Sequence, residues 1–92
     1  MLDFQWDKNK AASNHNKHGV TFDEAATVFG DYLSMTFPDF EHSIDEERYL
    51  IIGKSEQNRI LVVSHTHRIQ SIRIISAREA TKRERQYCES IK

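Results

Sequence analysis

The sequence has one cysteine, Cys88, which excludes an internal disulfide and fits a reducing compartment. No apolar run is long enough to cross a membrane. The first residues, Met1-Leu2-Asp3-Phe4-Gln5-Trp6-Asp7, lack both a basic start and an apolar stretch, so no secretory signal is expected. Repeats, low-complexity tracts and linkers are missing too, and 92 residues suffice for one modest core. The expectation is a single domain over residues 1–92, cytoplasmic and without membrane contact. Metal ligands are also scarce. His65-x-His67 offers two where zinc takes three or four, so neither a metal nor a cofactor is expected.

What is present is charge, unevenly placed. Residues 1–47 carry three lysines against ten carboxylates, a net of −7; residues 48–92 carry ten Lys/Arg against four glutamates, a net of +6. Two readings are open. One half serves an anion such as nucleic acid and the other a basic partner, or the halves neutralise each other across the fold.

Leu2, Phe4 and Trp6 alternate with polar residues as in a short strand. Asp7 caps a helix running to about Lys17 and stopped by Gly19. Thr21 and Glu24 form a capping box ahead of Phe22, Ala25, Ala26 and Phe29, a short amphipathic helix. Leu33, Met35 and Phe37 alternate as a half-buried strand, and Pro38 to Asp45 is a polar loop. Arg48–Gly53 and Ile60–Thr66 are consecutive-aliphatic strands in a hairpin, covered on both faces. Gln70–Ile75 is the next strand. Ser76 and Glu79 then read as a capping box opening a last helix, with Ala77, Ala80, Tyr87, Cys88 and Ile91 as its buried stripe and Arg78, Lys82 and Arg85 on another face. The order β-α-α-β-β-β-β-α with short loops predicts an α+β domain, an antiparallel sheet packed by helices.

Arg73 and Arg78 flank this strand–helix junction, where guanidiniums and outward N–H groups make an anion site. The wider pattern, Trp6-Asp7, Lys10, Asn14, Lys17-His18-Gly19-Val20, Phe22, Glu24-Ala25, Glu47-Arg48-Tyr49, Ile52-Gly53, Arg73 to Arg78, Ala80-Thr81, Glu84 and Tyr87, resembles the BrnT family. These are toxins of type II toxin–antitoxin systems. The resemblance implies a RelE-like fold, an endoribonuclease that blocks translation, and a BrnA-like antitoxin with a ribbon-helix-helix part. Operator DNA is then bound only through the antitoxin, and toxin and antitoxin repress their operon together. The chain departs from its relatives at His65-Thr66-His67-Arg68, where a histidine replaces a carboxylate.

RNA cleavage without metal needs a base for the 2′-hydroxyl, cations for the charged phosphorane and an acid for the leaving oxygen. Histidine serves as base or acid, and arginine stabilises charge. His65 and His67 share a strand face and, with Arg68, Arg73 and Arg78, form one candidate catalytic cluster, His65 transferring the proton. The competing reading makes His65 a satisfied core histidine and His67 a loop residue. Lys10, Lys17, His18, Arg48, His67, Lys82 and Arg85 are the candidate RNA contacts, against a merely solvated or helix-dipole role. Glu46-Glu47 is a weaker source of a general base. A module from a different class, which binds RNA or a protein partner without cleaving, also fits the basic half.

Overall fold

The computed structural model describes residues 3–90. Strand β1 (Asp3–Gln5) leads into helices α1 (Lys8–His18) and α2 (Phe22–Thr27), the second extended by a 3₁₀ turn at Val28–Gly30. Strand β2 (Met35–Pro38), a 3₁₀ turn at Phe40–His42, strands β3 (Arg48–Lys54), β4 (Ile60–His67) and β5 (Ser71–Glu79), and helix α3 (Lys82–Ser90) follow. The element order is the expected one. Asp7 Oδ1 accepts from the Lys10 N–H at 3.0 Å and Thr21 Oγ1 from the Glu24 N–H at 3.1 Å, so both helix starts are capped by the residues that announce them. Leu2 and Ile91, expected in the first strand and last helix, lie outside the described residues.

The strands form one sheet in the order β1-β5-β4-β3-β2. Strands β2 to β5 are antiparallel neighbours, but β1 lies parallel to β5, which corrects the expected antiparallel sheet at one edge. The physical reason is connectivity: no hairpin joins β1 to β5, so no turn imposes their direction. One face packs Ile51, Leu61, Val63, Ile74 and Ala77 against Val20, Phe22, Ala25 and Val28 of the first helical segment. The other places Ile52 and Val62 with Cys88 of α3, so the aliphatic runs of β3 and β4 are covered on both sides.

The largest departure from expectation is at the last junction. Ser76 is not a helix cap; β5 continues to Glu79, with Ser76 opposite Ser64 and Glu79 opposite Leu61. Pairing these backbone groups and burying Ala77 outweigh a local cap. The capping box lies five residues on: Thr81 Oγ1 accepts from the Glu84 N–H at 3.2 Å, and Glu84 Oε1 accepts from the Thr81 N–H at 2.8 Å. Ala77 therefore belongs to the sheet core, and Arg78 leaves the helix face it was expected to share with Lys82 and Arg85. Tyr32 and Leu33 likewise form a turn rather than strand, with Asp31 Oδ1 accepting from the Leu33 N–H.

Because β1 is only three residues long, β5 beyond Arg73 has no strand on its outer side. Asn14 of α1 takes that place. Its Nδ2 donates to the carbonyls of Ala77 and Val20, both at 2.9 Å, and its Oδ1 accepts from the Ala77 N–H at 3.0 Å. A buried side-chain amide thus closes a sheet edge as a neighbouring strand would. Asn14→Ala is expected to cost about 2 kcal/mol by leaving the Ala77 backbone groups unpaired. Urea unfolding should show a lower midpoint; an unchanged midpoint would contradict this role.

Candidate active site

The register places arginines on the sheet face that carries α3. Arg48, Thr66 and Arg73 lie directly opposite one another across β3, β4 and β5, with Gln5 of β1 opposite Arg73. The next rows along this face are Leu50–Ser64–Ser76 and Ile52–Val62–Arg78. With strands about 5 Å apart, Arg48 and Arg73 stand two strand spacings apart over Thr66. Five residues separate Arg73 from Arg78, and simple alternation would send them to opposite faces. A β-bulge prevents this. Ser64 faces Ser76 while His65 faces Ile74, so Ile75 is the extra residue and the two arginines share a face.

Each arginine is held differently. Arg78 makes a fork-to-fork pair with Glu84, Nη1 to Oε1 at 2.7 Å and Nη2 to Oε2 at 2.9 Å. The guanidinium beside it, opposed by partial burial and helped by the Thr81 N–H, holds the Glu84 carboxyl down at about 2. Arg48 lies 3.9 Å from Glu46, and its buried Nε has no hydrogen-bond partner among the described residues. Glu46 also faces Arg68, at 3.4 Å. Arg73 is half-buried and its guanidinium hydrogen-bonds to no described residue; the Asp7 carboxyl is lowered first by the Lys10 N–H it accepts from and last by the field of Arg73. The register thus puts three arginines on one face with Ser64 and Ser76, while Thr66 between Arg48 and Arg73 is buried and its hydroxyl donates to the Glu47 carbonyl at 2.6 Å.

His65 is not on this face. It shares the opposite one with His67, their rings 5.5 Å apart, so the two-residue spacing is as expected. Its cross-strand neighbours there are Tyr49 and Ile74, and Phe29 meets its ring edge-on at 4.8 Å. It is 1 % exposed. Nδ1 donates to the Val63 carbonyl at 3.2 Å, and burial, more than the nearby His67, lowers its pKa and keeps it neutral at pH 7. The single expected cluster of His65, Arg68, Arg73 and Arg78 is therefore divided: the sheet stands between His65 and the Arg73–Arg78 pair.

Sequence comparison gives the family of the chain. The family described as "Ribonuclease toxin, BrnT, of type II toxin-antitoxin system" matches residues 6–84. The chain belongs to the BrnT family. No curated protein matches it, but a solved structure does: the Brucella abortus ribonuclease toxin BrnT, 22% identical, with a TM-score of 0.70 over 89% of this chain and 100% of that one. At that identity the likeness carries the fold.

In this BrnT-family chain the other expected RNA contacts are spread out. Lys10, Lys17 and His18 of α1 line a niche of about 210 Å³ with Ser13, Asn14, Ile75 and Ser76, beside the bulge. His67 and Arg68 line a broad depression at the β4–β5 turn with Asp3 and Gln5, and His67 stacks on Tyr49 with centroids 4.8 Å apart. Lys82 and Arg85 are exposed on α3. Among the described residues no three His, Cys, Asp or Glu side chains gather as metal ligands.

Two features of the structure escaped sequence reasoning. Glu84 fixes Arg78, and its signal was the Thr81-x-x-Glu84 spacing, obscured by the competing Ser76-x-x-Glu79. His42, in what reads as a featureless polar loop, has Nδ1 3.0 Å from Asp39 Oδ2. Nothing local in the sequence announces it.

Proposed function

We propose that this toxin is a metal-independent endoribonuclease that inhibits translation, with Arg48, Arg73 and Arg78 holding and stabilising the scissile phosphate. The observation that carries the reading is the bulge-corrected register that gathers three arginines on one face. Cations fixed by the fold meet the charge that develops on the phosphorane, the contribution a metal would otherwise supply. Arg68, through Glu46, steadies the Arg48 end. Lys10, Lys17 and His18 extend the anion path around the β5 edge, with Lys82 and Arg85 on the α3 side. His67, exposed on the other face, is a peripheral contact, and His65 is a packing residue of the Phe29–Tyr49 ring cluster.

The partner in this reading is a BrnA-like antitoxin with a ribbon-helix-helix part. It covers the toxin, binds operator DNA and represses the operon with it, in the cytoplasm. Purified protein should cleave RNA with undiminished rate in excess chelator, and its induction should arrest growth unless the adjacent antitoxin frame is co-expressed. Absence of cleavage of both free and ribosome-bound RNA, with growth unaffected, would overturn the reading in favour of a non-catalytic binding module.

A further inference from the structure

The arginine face supplies charge but no proton-transfer group, since an arginine keeps its proton throughout. The histidines do not serve it equally. His65 is buried and His67 stacks on Tyr49, both on the opposite face, while His15 and His18 are carried by α1. His42 is placed differently. It lines a niche of about 240 Å³ with Ile44, Asp45, Glu46 and Arg48.

The loop that bears His42 is stitched to Arg48 itself. The Asp39 N–H donates to the Arg48 carbonyl at 2.8 Å, the Arg48 N–H donates to Ser43 Oγ at 2.9 Å, and the Ser43 hydroxyl donates to the Asp39 carbonyl at 2.6 Å. These three bonds fix Asp39 and Ser43, and with them the turn between, relative to one arginine of the phosphate face. Asp39 is mostly buried and its carboxylate only accepts, so His42 Nδ1 donates in this pair and Nε2 is the ring nitrogen left for a substrate. His42 is well exposed, and Nε2 bonds to no described residue. This is the base-plus-orienter arrangement used to activate a hydroxyl. Arg48 lines the same niche; its buried Nε has no hydrogen-bond partner among the described residues and lies 3.9 Å from Glu46 Oε1. Glu46 is the other acceptor there, and its two oxygens face Arg48 and Arg68.

We propose that His42, oriented by Asp39, is the proton-transfer group of RNA cleavage, acting on a ribose whose phosphate is held by Arg48 and Arg73. The assignment rests on the ribonuclease reading above. Nε2 takes the proton of the 2′-hydroxyl as O2′ bonds to phosphorus. The P–O5′ bond breaks, and the departing O5′ takes a proton from water. A 2′,3′-cyclic phosphate and a 5′-hydroxyl remain, and the imidazolium returns its proton to solvent. The charged groups around His42 are Asp39, Asp45, Glu46 and Arg48, with Arg68 bound to Glu46.

The test is single-turnover cleavage of RNA in chelator by the full-length wild type, His42→Ala and Asp39→Asn, each also titrated with 2′-O-methyl RNA, which binds but cannot be cleaved. His42→Ala should lose about 100-fold or more in rate while binding the methylated RNA as wild type does. Added imidazole should restore much of the loss. Asp39→Asn should lose less, without imidazole rescue. Wild-type cleavage by His42→Ala, or a loss that imidazole does not restore, would overturn the assignment while leaving the ribonuclease reading intact. A wild type that cleaves no RNA would overturn both.

Discussion

Arg73→Ala should lower RNA cleavage by about 10²–10³-fold, the loss seen when one fixed donor to a developing oxyanion is removed. Arg73 is the cleanest of the three arginines to test. Its guanidinium hydrogen-bonds to no described residue, so its removal orphans no partner in the fold. Arg78 differs, because its pair with Glu84 ties β5 to the first turn of α3 and Arg78→Ala would mix lost chemistry with a loosened helix. In Arg73→Ala the thermal midpoint should stay near that of wild type, and growth arrest on induction should be relieved. Cleavage within a few-fold of wild type would remove Arg73 from the site.

Glu24→Ala should destabilise the fold by about 3 kcal/mol, or more than about 10 °C in Tm for a domain of this size. Glu24 is buried. It accepts from the Ser55 hydroxyl at 2.6 Å and from Arg59 Nε at 2.9 Å, and also from Arg59 Nη2. Arg59 also donates to the Gly19 carbonyl at 3.1 Å. One carboxylate therefore locks α2 and the end of α1 to the β3–β4 hairpin. The cost sits at the low end for a broken buried pair because the Arg59 side chain, 28% exposed, can turn to solvent. Arg59, ahead of the burial that opposes it, holds the Glu24 carboxyl below its ordinary 4.5. A depressed carboxyl contributes stability that is full above the unfolded value and lost as pH falls through the folded one. Wild-type stability should thus hold down to about pH 4.5 and then decline, with the Glu84 share persisting to about 2. In Glu24→Ala the decline below pH 4.5 should be shallower; an equal slope, or an unchanged Tm at neutral pH, would contradict the lock.

Local patterns were good guides where a residue's own neighbours in the chain decide its conformation. Asp7 and Thr21 cap as their spacing indicates, Gly19 ends α1 with φ 69°, and the β3–β4 hairpin turns within Lys54 to Arg59. Where long-range pairing competes with a local signal, the pairing wins. Ser76-x-x-Glu79 had the capping-box letters, but a strand partner and a core position for Ala77 drew it into β5. The site was legible as residue types and not as an arrangement. Arg48, Arg73 and Arg78 were identifiable, yet only the bulge at Ile75 puts the latter two on one face, and no sequence period encodes a bulge. The same limit applies to the His65 cluster, whose members share a stretch of chain but face opposite sides of the sheet. Asn14 and the Asp39–His42 pair depend on contacts that only the assembled fold creates.

The charge split divides between its two readings. Glu24 with Arg59, and Glu46 with Arg48 and Arg68, join the acidic and basic halves across the fold. Arg73 makes no such ion pair, although Asp7 of the acidic half lies within its field.

In the proposed function RNA lies on the α3 side of the sheet, the face carrying Arg48, Thr66, Arg73 and Ser76, and not on the α1–α2 side with His65. Backbone and arginine side-chain chemical shifts recorded while titrating 2′-O-methyl RNA test this most directly. Perturbations should concentrate at Arg48, Ser64, Thr66, Arg73, Ser76 and Arg78 and along the α1 niche at Lys10 and Lys17. Perturbations centred instead on Tyr49, His65 and Phe29, with the arginine face silent, would contradict it.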